Sequence, residues 1–527
     1  MQSLRISNGK KALVLGAGAS GAACAKHLYG RGWSVTVADT RQTPPLGNLS
    51  ELIGDEFHLA LGGIPESLVD EKTDLVVISP GLSPYFSAAA ACISKAKEAG
   101  IDVVGEIELF ARELKRLKKY RGYAPKVIGI TGTNGKTTTT TMVGLMVAAG
   151  GLSVCVAGNI GPNALAELDK HNVENSLPDV WVLELSSFQL ETTSSLACTS
   201  AAFLNLTEDH VDWHGSIDAY AAAKARIFAP ETARVVNRDD VVTVREGCDG
   251  ARSFGDSDPE APGQWGITTD NGIEWLSKID VAPIQTGKKA ILAAEDPQKT
   301  LLMPVEALLI KGRHNAMNAL AALALIDAAG LNLAKALTVL KTYRGEAHRV
   351  QSVLKVGDIE FIDDSKGTNV GAVIAALIGL GKSGRKCALV MGGDGKGQDF
   401  TPLAESVAAH ARFVSVIGQD AQKIAQALAE TGIEIKNCGK DFESAVRSCY
   451  EAARPGDAVL LSPACASWDM FKNYAQRSAL FVEIAKTLSR EFEAQQNELA
   501  QQMPELEPTQ EAASFEACEK SEDGRGL

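Results

Sequence analysis

Ile130-Thr-Gly-Thr-Asn-Gly-Lys-Thr-Thr138 follows an apolar strand, Lys126 to Ile130, and opens a helix-compatible run that reaches Ala149. This order of strand, Gly-rich turn, Lys-Thr and helix predicts a cradle for a triphosphate. Backbone N–H groups of Gly132, Thr133, Asn134, Gly135 and Lys136 are expected to point inward, with the positive end of the new helix on the phosphates. Lys136 can reach the β- and γ-phosphates, and the Thr137 hydroxyl can ligate Mg²⁺, with Thr138 beside it. Gly132-x-x-Gly-Lys-Thr137 is two residues shorter than the usual Gly-x-x-x-x-Gly-Lys-[Ser/Thr] loop. A Gly-Asn turn between strand and helix is common for purely structural reasons. The Lys-Thr in register turns the reading toward ATP.

Composition bounds what such a loop serves. A chain of 527 residues predicts three or four domains. Its 45% hydrophobic and 22% charged residues are ordinary for a globular enzyme. A net charge of −13 argues against non-specific nucleic-acid binding and against an anionic membrane surface. No apolar run reaches the roughly 18 residues that span a bilayer. The first residues, Met1-Gln-Ser-Leu-Arg-Ile-Ser-Asn-Gly9, lack the charged-then-apolar layout of a signal peptide. Ten cysteines are scattered with no Cys-x-x-Cys pair, so neither a zinc site nor a disulfide framework is indicated. The expected location is a reducing cytoplasm.

Working outward from the loop, short β-branched runs alternate with Ala-rich helical stretches, the pattern of stacked α/β domains. Before the loop come Lys11–Leu15, Ser34–Ala38 and Asp74–Ile78 as strands, then Glu106–Arg121 as a connecting helix. After it, Val180–Leu185 and Ala201–Leu206 read as buried strands. Between Val241 and about Ala307 the texture changes to Gly, Asp and Pro. There Asp270-Asn271-Gly272 signals a hairpin in a small antiparallel appendage. A further block holds strands at Ile359–Ile362, Lys386–Met391, Phe413–Ile417 and Ala458–Leu461. The expected organisation is a Rossmann-like domain over 1–105, a P-loop domain over 106–345, a second Rossmann-like domain over 346–490, and a disordered acidic tail over 491–527.

Gly16-x-Gly18-x-x-Gly21 after a strand, with Asp39 ending the next, is by itself a dinucleotide fingerprint. A Gly-rich turn at a strand end binds diphosphates in general, so a nucleotide-diphosphate sugar fits as well as NAD. With an ATP loop in the next block, hydride transfer is the weaker reading.

Taken in order, the motifs resemble the Mur ligases, ATP-dependent amide-forming enzymes of peptidoglycan precursor synthesis. The resemblance runs over roughly residues 9 to 487. It rests on Asp39-Thr-Arg41, Ser79-Pro-Gly81, the loop Gly132–Thr137, Gly158-Asn-Ile-Gly161, Leu183-Glu-Leu-Ser-Ser-Phe-Gln-Leu-Glu191, Thr207-Glu-Asp-His210 and Ala223-Lys224. It continues through His314-Asn315, His348-Arg349, Asp364-Ser-Lys366, Gly392-Gly-Asp-Gly-Lys396 and Ser462-Pro-Ala-Cys-Ala-Ser467. The activity implied is ATP-dependent joining of D-glutamate to UDP-N-acetylmuramoyl-L-alanine through an acyl phosphate. The alternative is another Mur-type or folylpolyglutamate-type ligase with a different acceptor or L-glutamate. Implied cofactors are ATP and two Mg²⁺; the implied state is a monomer without nucleic-acid or membrane partners.

The resemblance also assigns residues. Gly18, Ala19, Ser20, Asp39, Thr40 and Arg41 are implied for the uridine diphosphate, with Gly81 and Asn159 along the sugar–alanine arm. Asn315, Arg349 and Asp364 are implied at ATP, with Asn237 and Asp240 in a nucleotide-side stretch. Glu184, ending a buried strand, reads as a Mg²⁺ ligand, because a carboxylate there is costly unless it binds metal. His210 is implied near a second Mg²⁺, either as ligand or as hydrogen-bond donor to the acyl phosphate; His214 is expected at the surface. Lys224, on an Ala-rich helix, reads alone as a solvated charge. The resemblance implies instead a carbamate made with CO₂ that turns toward the second metal. Lys366, Thr368, Lys396 and Ser467 are implied for glutamate, together with Trp468 and Tyr474, where an aliphatic residue and a phenylalanine are familiar. Substrates from all blocks imply closure of the last block about a hinge near Tyr343–Glu346.

Rivals lack their marks. A P-loop GTPase needs an Asn-Lys-x-Asp guanine reader, and no Asn-Lys dipeptide occurs. A folate ligase would not need the block from Gly16 to Arg41, and the Asp-Asn-Pro-Arg motif of the ligase that adds a diamino acid is absent. A non-catalytic scaffold would be expected to lose Lys136, Glu184 or Lys224.

Overall fold

The computed structural model describes residues 8–44, 49, 56–248, 250–280, 298–310, 312–346, 348–381, 384–395 and 397–502. Three sheets follow one another along the chain. The first is wholly parallel: β1 (Lys11–Leu15), β2 (Ser34–Asp39), β3 (Phe57–Leu61), β4 (Leu75–Ile78) and β5 (Asp102–Val104), in the order β3-β2-β1-β4-β5. Its central strands β1 and β4 are short, apolar and buried, as expected of strands covered on both faces. The chain leaves β1 to one side for β2 and β3, then crosses to the other for β4. That reversal opens a crevice at the carboxyl ends of β1, β2 and β4.

The second sheet carries the loop. It contains β6 (Lys126–Thr131), β7 (Val154–Gly158), β8 (Val180–Glu184), β9 (Ser200–Phe203), β10 (Ala233–Asn237), β11 (Arg252–Phe254), β12 (Gln264–Asp270), β13 (Ile273–Ile279) and β14 (Lys299–Pro304). Its order is β14-β13-β12-β11-β10-β9-β6-β8-β7, so β6 lies between β8 and β9 and the loop sits where the winding reverses. The expected appendage is present as antiparallel β12-β13-β14, but it extends the central sheet through β11. Asp270 pairs with Ile273 across Asn271-Gly272, and both turn residues have positive φ, 49° and 79°. This is the two-residue hairpin turn the sequence signals.

The third sheet holds β15 (Gln351–Val356), β16 (Ile359–Asp363), β17 (Cys387–Gly392), β18 (Ala411–Ile417), β19 (Glu434–Gly439) and β20 (Ala458–Leu461), in the order β15-β16-β20-β17-β18-β19. Only β15 runs antiparallel to its neighbour among these described strands. The chain ends its described part in a helix over Tyr474–Gln502, which corrects the expected start of a disordered tail at 491. Residues 491–502 stay helical because Glu491 takes two bonds from Arg447 (2.8 and 3.0 Å) and Phe492 packs on the core behind the third sheet. The rest of the tail lies outside the described residues.

The cores show which blocks are joined. One hydrophobic cluster runs from Ala12 and Val14 of the first sheet through Ile107, Phe110 and Leu117 of the helix Glu106–Arg121 to Val127, Trp181 and Leu183 of the second. The third sheet has its own clusters on each face, built from residues at or beyond Val350. No described helix is long and apolar enough to cross a membrane.

Candidate active site

The crevice of the first sheet is a pocket of about 350 Å³ that gathers Gly16, Gly18, Ala19, Ser20, Asp39, Thr40, Arg41, Ser79 and Gly81. Helix Ala19–Gly30 starts at its floor, close enough that a Cβ on Gly21 would stand 1.8 Å from the Gly16 carbonyl oxygen. Only glycine permits that approach. Asp39 is buried and accepts from the Ala17 N–H (2.8 Å) and from both Nε and Nη2 of Arg41 (2.8 Å each). The Arg41 guanidinium holds its carboxyl well below the usual range. The pocket therefore presents a fixed anion and a half-exposed fork of donors beside a Gly-rich turn. Asn159, expected on this substrate's path, is fastened to Glu184. Its N–H donates to the Glu184 carbonyl (2.7 Å) and its side-chain amide to the carboxylate (3.0 Å).

In the central loop, the N–H groups of Thr133 and Asn134 do not face a ligand space. They donate to the carbonyl and side chain of Asn205 (2.9 and 2.8 Å), because the loop is braced on the segment after β9. The N–H groups of Gly135 and the first turn of the helix Lys136–Ala149 remain as anion-facing donors. Gly135 has φ of 80°, and a Cβ there would fall 2.3 Å from Asn318 Oδ1, so the turn is closed to other residues.

Two lysines meet at one oxygen. Lys136 Nζ donates to the carbonyls of Gly132 and Thr133 (2.8 Å each), and Lys224 Nζ donates to the same Gly132 carbonyl at 2.8 Å. Lys224 is 1% exposed and lies over the Tyr220 ring at 4.5 Å, so the solvated-charge reading fails. Burial, and then the charge of Lys136, push its ammonium well below the ordinary lysine range; burial lowers Lys136 as well, against the pull of Glu184. Glu184, itself buried, ends β8 beside them. Tyr220 Oη also reaches Thr133 Oγ1 (3.2 Å), a contact the sequence did not announce.

His210 sits at φ 56° ahead of the short helix Val211–His214, its ring edge-on to Phe188 at 4.7 Å. His214 is not at the surface: it is buried, bonded to Ser187 Oγ (2.9 Å), and desolvation lowers it to about 4. The helix Ser187–Glu191 and the aromatic rings of Phe188, Trp213 and Tyr220 enclose it.

Between the second and third blocks lies a cavity of about 900 Å³ lined by Asn134, Gly135, Thr138, Asn237, Asn315, Arg349 and Asp364. Arg349 Nη2 donates to Thr137 Oγ1 (3.0 Å), while its buried Nε has no hydrogen-bond partner among the described residues. Asn369 donates to Asn134 Oδ1 (3.2 Å) across the same boundary. Burial raises Asp364 to about 7, despite a bond from Ser462 Oγ (2.6 Å). Asp240 does not join the cavity; it caps the helix Val241–Gly247 and accepts from Leu206 N–H (2.7 Å).

The described residues expected at glutamate lie on the loops after β16 and β20 and at the start of the helix Tyr474–Gln502. Lys366 stands 5.2 Å from the Tyr474 ring, Thr368 N–H donates to the Lys366 carbonyl (2.9 Å), and Ser467 is buried. Trp468 is 72% exposed. Lys396 lies outside the described residues. Arg477, missed by sequence reading, ties these loops from beneath: fully buried, it donates to the carbonyls of Ser365 (3.0 Å) and Cys465 (3.3 Å). A lone arginine on a helix carries no signal of such a role.

A triphosphate and Mg²⁺ fit this donor set. The cavity offers a guanidinium nitrogen unpartnered among the described residues, a helix N-terminus and hydrophilic amides. Thr137 and Glu184 supply the oxygen donors a hard cation takes. Lys224 fits a metal only if its positive charge is reversed.

Fold and site define a P-loop enzyme of three α/β units, with a nucleotide cavity at one boundary and a second anion pocket in the first unit. Three family models agree: "Mur ligase MurD-like, N-terminal domain" over residues 10–105, "Mur ligase middle domain" over 130–326, and "Mur ligase, glutamate ligase domain" over 348–465. A Burkholderia ambifaria protein named UDP-N-acetylmuramoylalanine--D-glutamate ligase is 49% identical, over 89% of this chain and 95% of its own. A Burkholderia mallei protein of the same name is 48% identical, over 91% and 97%. Among solved structures, UDP-N-acetylmuramate-alanine ligase from Thermotoga maritima matches with a TM-score of 0.53 at 20% identity, over 91% of this chain and 99% of that one. MurF from Acinetobacter baumannii matches at 0.52 and 19%, over 80% and 92%; both likenesses speak to the fold. The chain belongs to the Mur ligase family, whose members form amide bonds with ATP and Mg²⁺.

Proposed function

We propose that this protein joins D-glutamate to UDP-N-acetylmuramoyl-L-alanine in the cytoplasm, as a monomer, with conversion of ATP to ADP and phosphate. The observation that carries the reading is the pair of lysines on the Gly132 carbonyl, in a loop whose Asn134, Gly135 and Thr138 line a nucleotide-sized cavity, together with a diphosphate-sized pocket in the first unit. Residues 1–105 take the uridine diphosphate, 106–345 the ATP, and 346–490 the amino acid.

The chemistry brings two anions together. The alanyl carboxylate attacks the γ-phosphate, ADP departs, and an acyl phosphate forms. The neutral amine of glutamate adds to its carbonyl, and phosphate leaves from the tetrahedral intermediate. No protein nucleophile is needed; fixed positive charge is. Lys136 leaves the Gly132 and Thr133 carbonyls for the β- and γ-phosphates, and Arg349 turns its free Nε to the nucleotide. Bound Mg²⁺ supplies charge neutralisation and orientation of the phosphates. Thr137 and Glu184 would hold one ion; His210 and Lys224, as its carbamate, would hold a second. A neutral amine is what adds to CO₂, and the buried environment of Lys224 favours that form. Asp39 and Arg41 fix the uracil end. Lys366, Thr368, Lys396, Ser467, Trp468 and Tyr474 receive glutamate.

Phosphate release from ATP and Mg²⁺ with UDP-N-acetylmuramoyl-L-alanine, with D- and L-glutamate in parallel, tests the reading. Release with the D-form alone is expected. Release with neither, but with another acceptor or amino acid, would replace the substrate assignment. Lys224→Ala is expected to lose nearly all turnover and to regain part of it with a short carboxylate; full activity in that variant would remove the carbamate.

A further inference from the structure

The sequence indicates no zinc site, yet the fold brings one set of ligand atoms together. Cys155 on β7, and Glu167 and His171 on the helix Ala164–Glu174, place a thiol, a carboxylate oxygen and an imidazole nitrogen within 4.8 Å of one another. Among the described residues no other group of three such side chains converges in this way. Glu167 and His171 are four residues apart, so they share one face of their helix. Cys155 comes from the edge strand that this face covers. Spacing along the chain hides such a site, because the strand and helix contribute one and two ligands from opposite sides of a loop.

We propose that Cys155, Glu167 and His171 form a binding site for a borderline divalent transition metal of the Zn²⁺ class, which fastens β7 to its covering helix. Three arguments support it. The donor set of sulfur, nitrogen and carboxylate oxygen suits Zn²⁺ and is wrong for Mg²⁺. The imidazole is already aimed: His171 Nδ1 is bonded to Ser176 Oγ (2.8 Å), and Ser176 is anchored by its own N–H to the His171 carbonyl (2.9 Å). That leaves Nε2, 3.8 Å from Glu167 Oε2, as the ligand atom. Partners bonded to the second ring nitrogen are how proteins orient metal-binding histidines. Finally, the site has an entrance. Cys155 is buried at 8% exposure, while the Glu167 and His171 side chains are 20% and 23% exposed.

Ligands of one Zn²⁺ stand roughly 3.5 Å apart, so the existing His–Glu separation needs little change. Binding displaces the thiol proton of Cys155 to solvent and forms the sulfur–metal bond. The thiolate and carboxylate then cancel the charge of the ion, and water completes the fourth position. Lys170 Nζ, 3.3 Å from Glu167 Oε2, is more than half exposed and free to withdraw into solvent. Cys155 stands four residues before Asn159, so the clamp would brace the segment that holds Glu184.

The test is titration of Co²⁺ into the full-length, chelator-treated protein, followed by competition with Zn²⁺. The expected result is a near-ultraviolet thiolate-to-cobalt band with one equivalent per chain. The band is lost in Cys155→Ser, and Ser176→Ala weakens binding about tenfold or more. Zn²⁺, but not Mg²⁺, raises the melting temperature of the wild type, and His171→Ala removes that rise while keeping its activity with Mg²⁺. No thiolate band in the wild type would overturn the proposal. So would a band that survives Cys155→Ser and disappears in Cys248→Ser, since Cys248 is the exposed thiol among the described residues.

Discussion

At the scale of single residues, the site is a problem of like charges solved by burial. Lys136 and Lys224 share an acceptor; burial and then the charge of Lys136 lower Lys224, while burial lowers Lys136 with Arg349 adding to it against the pull of Glu184. Lys136→Ala removes the charge meant for the phosphates and leaves Lys224 in place. Its turnover in the phosphate-release assay is expected to fall about a thousandfold, with an unchanged circular-dichroism spectrum. His214 gives a pH-dependent counterpart. Its folded value of about 4 lies below the usual 6.5, so the unfolded chain binds the extra proton between these limits. Stability from this group is complete above pH 6.5 and is lost as the pH falls toward 4. His214→Gln is therefore expected to flatten the drop in melting temperature between pH 7 and pH 4.5, whatever its effect at neutral pH. The position of His214 was not legible, because its partner Ser187 lies 27 residues away, on the far side of β9.

At the scale of elements, strands and loop were legible where apolar runs met glycine punctuation. The helices Glu106–Arg121 and Lys136–Ala149 and the strand Ala458–Leu461 stand where the residues place them. The loop's donors were harder to read: the pattern Gly-Thr-Asn-Gly predicts inward N–H groups, but Asn205, just past β9, takes two of them. The last helix outran its composition. Few large apolar residues follow Glu491, and one of them, Phe492, suffices because its ring lies against Gly357 at the β15–β16 turn; a Cβ there would come within 3.0 Å of it. A chain ending at Arg490 is expected to lose about 1–2 kcal/mol and melt earlier, while a chain ending at Gln502 melts as the full-length protein does. Arg477 escaped notice for a related reason. Its partner Ser365 is 112 residues away, and no periodicity connects them.

At the scale of the whole molecule, the division of the core predicts which unit moves. The first and second sheets share a continuous apolar cluster, and sliding them apart would expose it. The third sheet meets the second through polar contacts, Arg349 to Thr137 and Asn369 to Asn134, which water can replace at little cost. Motion is therefore expected in the third unit, about the segment Tyr343–Glu346, with the first two moving as one. X-ray scattering should show a larger radius of gyration for the Arg349→Ala/Asn369→Ala double variant than for the wild type, and a nucleotide analogue with acceptor should compact the wild type. Equal radii for the two proteins would place the hinge elsewhere. The shared Gly132 carbonyl carries a last consequence, of reciprocity. A carbamate on Lys224 would set a negative charge beside Lys136 and favour its ammonium, the form that meets phosphate, so dissolved CO₂ and nucleotide become linked ligands of one loop. Bicarbonate should then tighten ATP binding by the same factor by which ATP deepens carbamylation, an equality that calorimetry with and without bicarbonate can measure from either side.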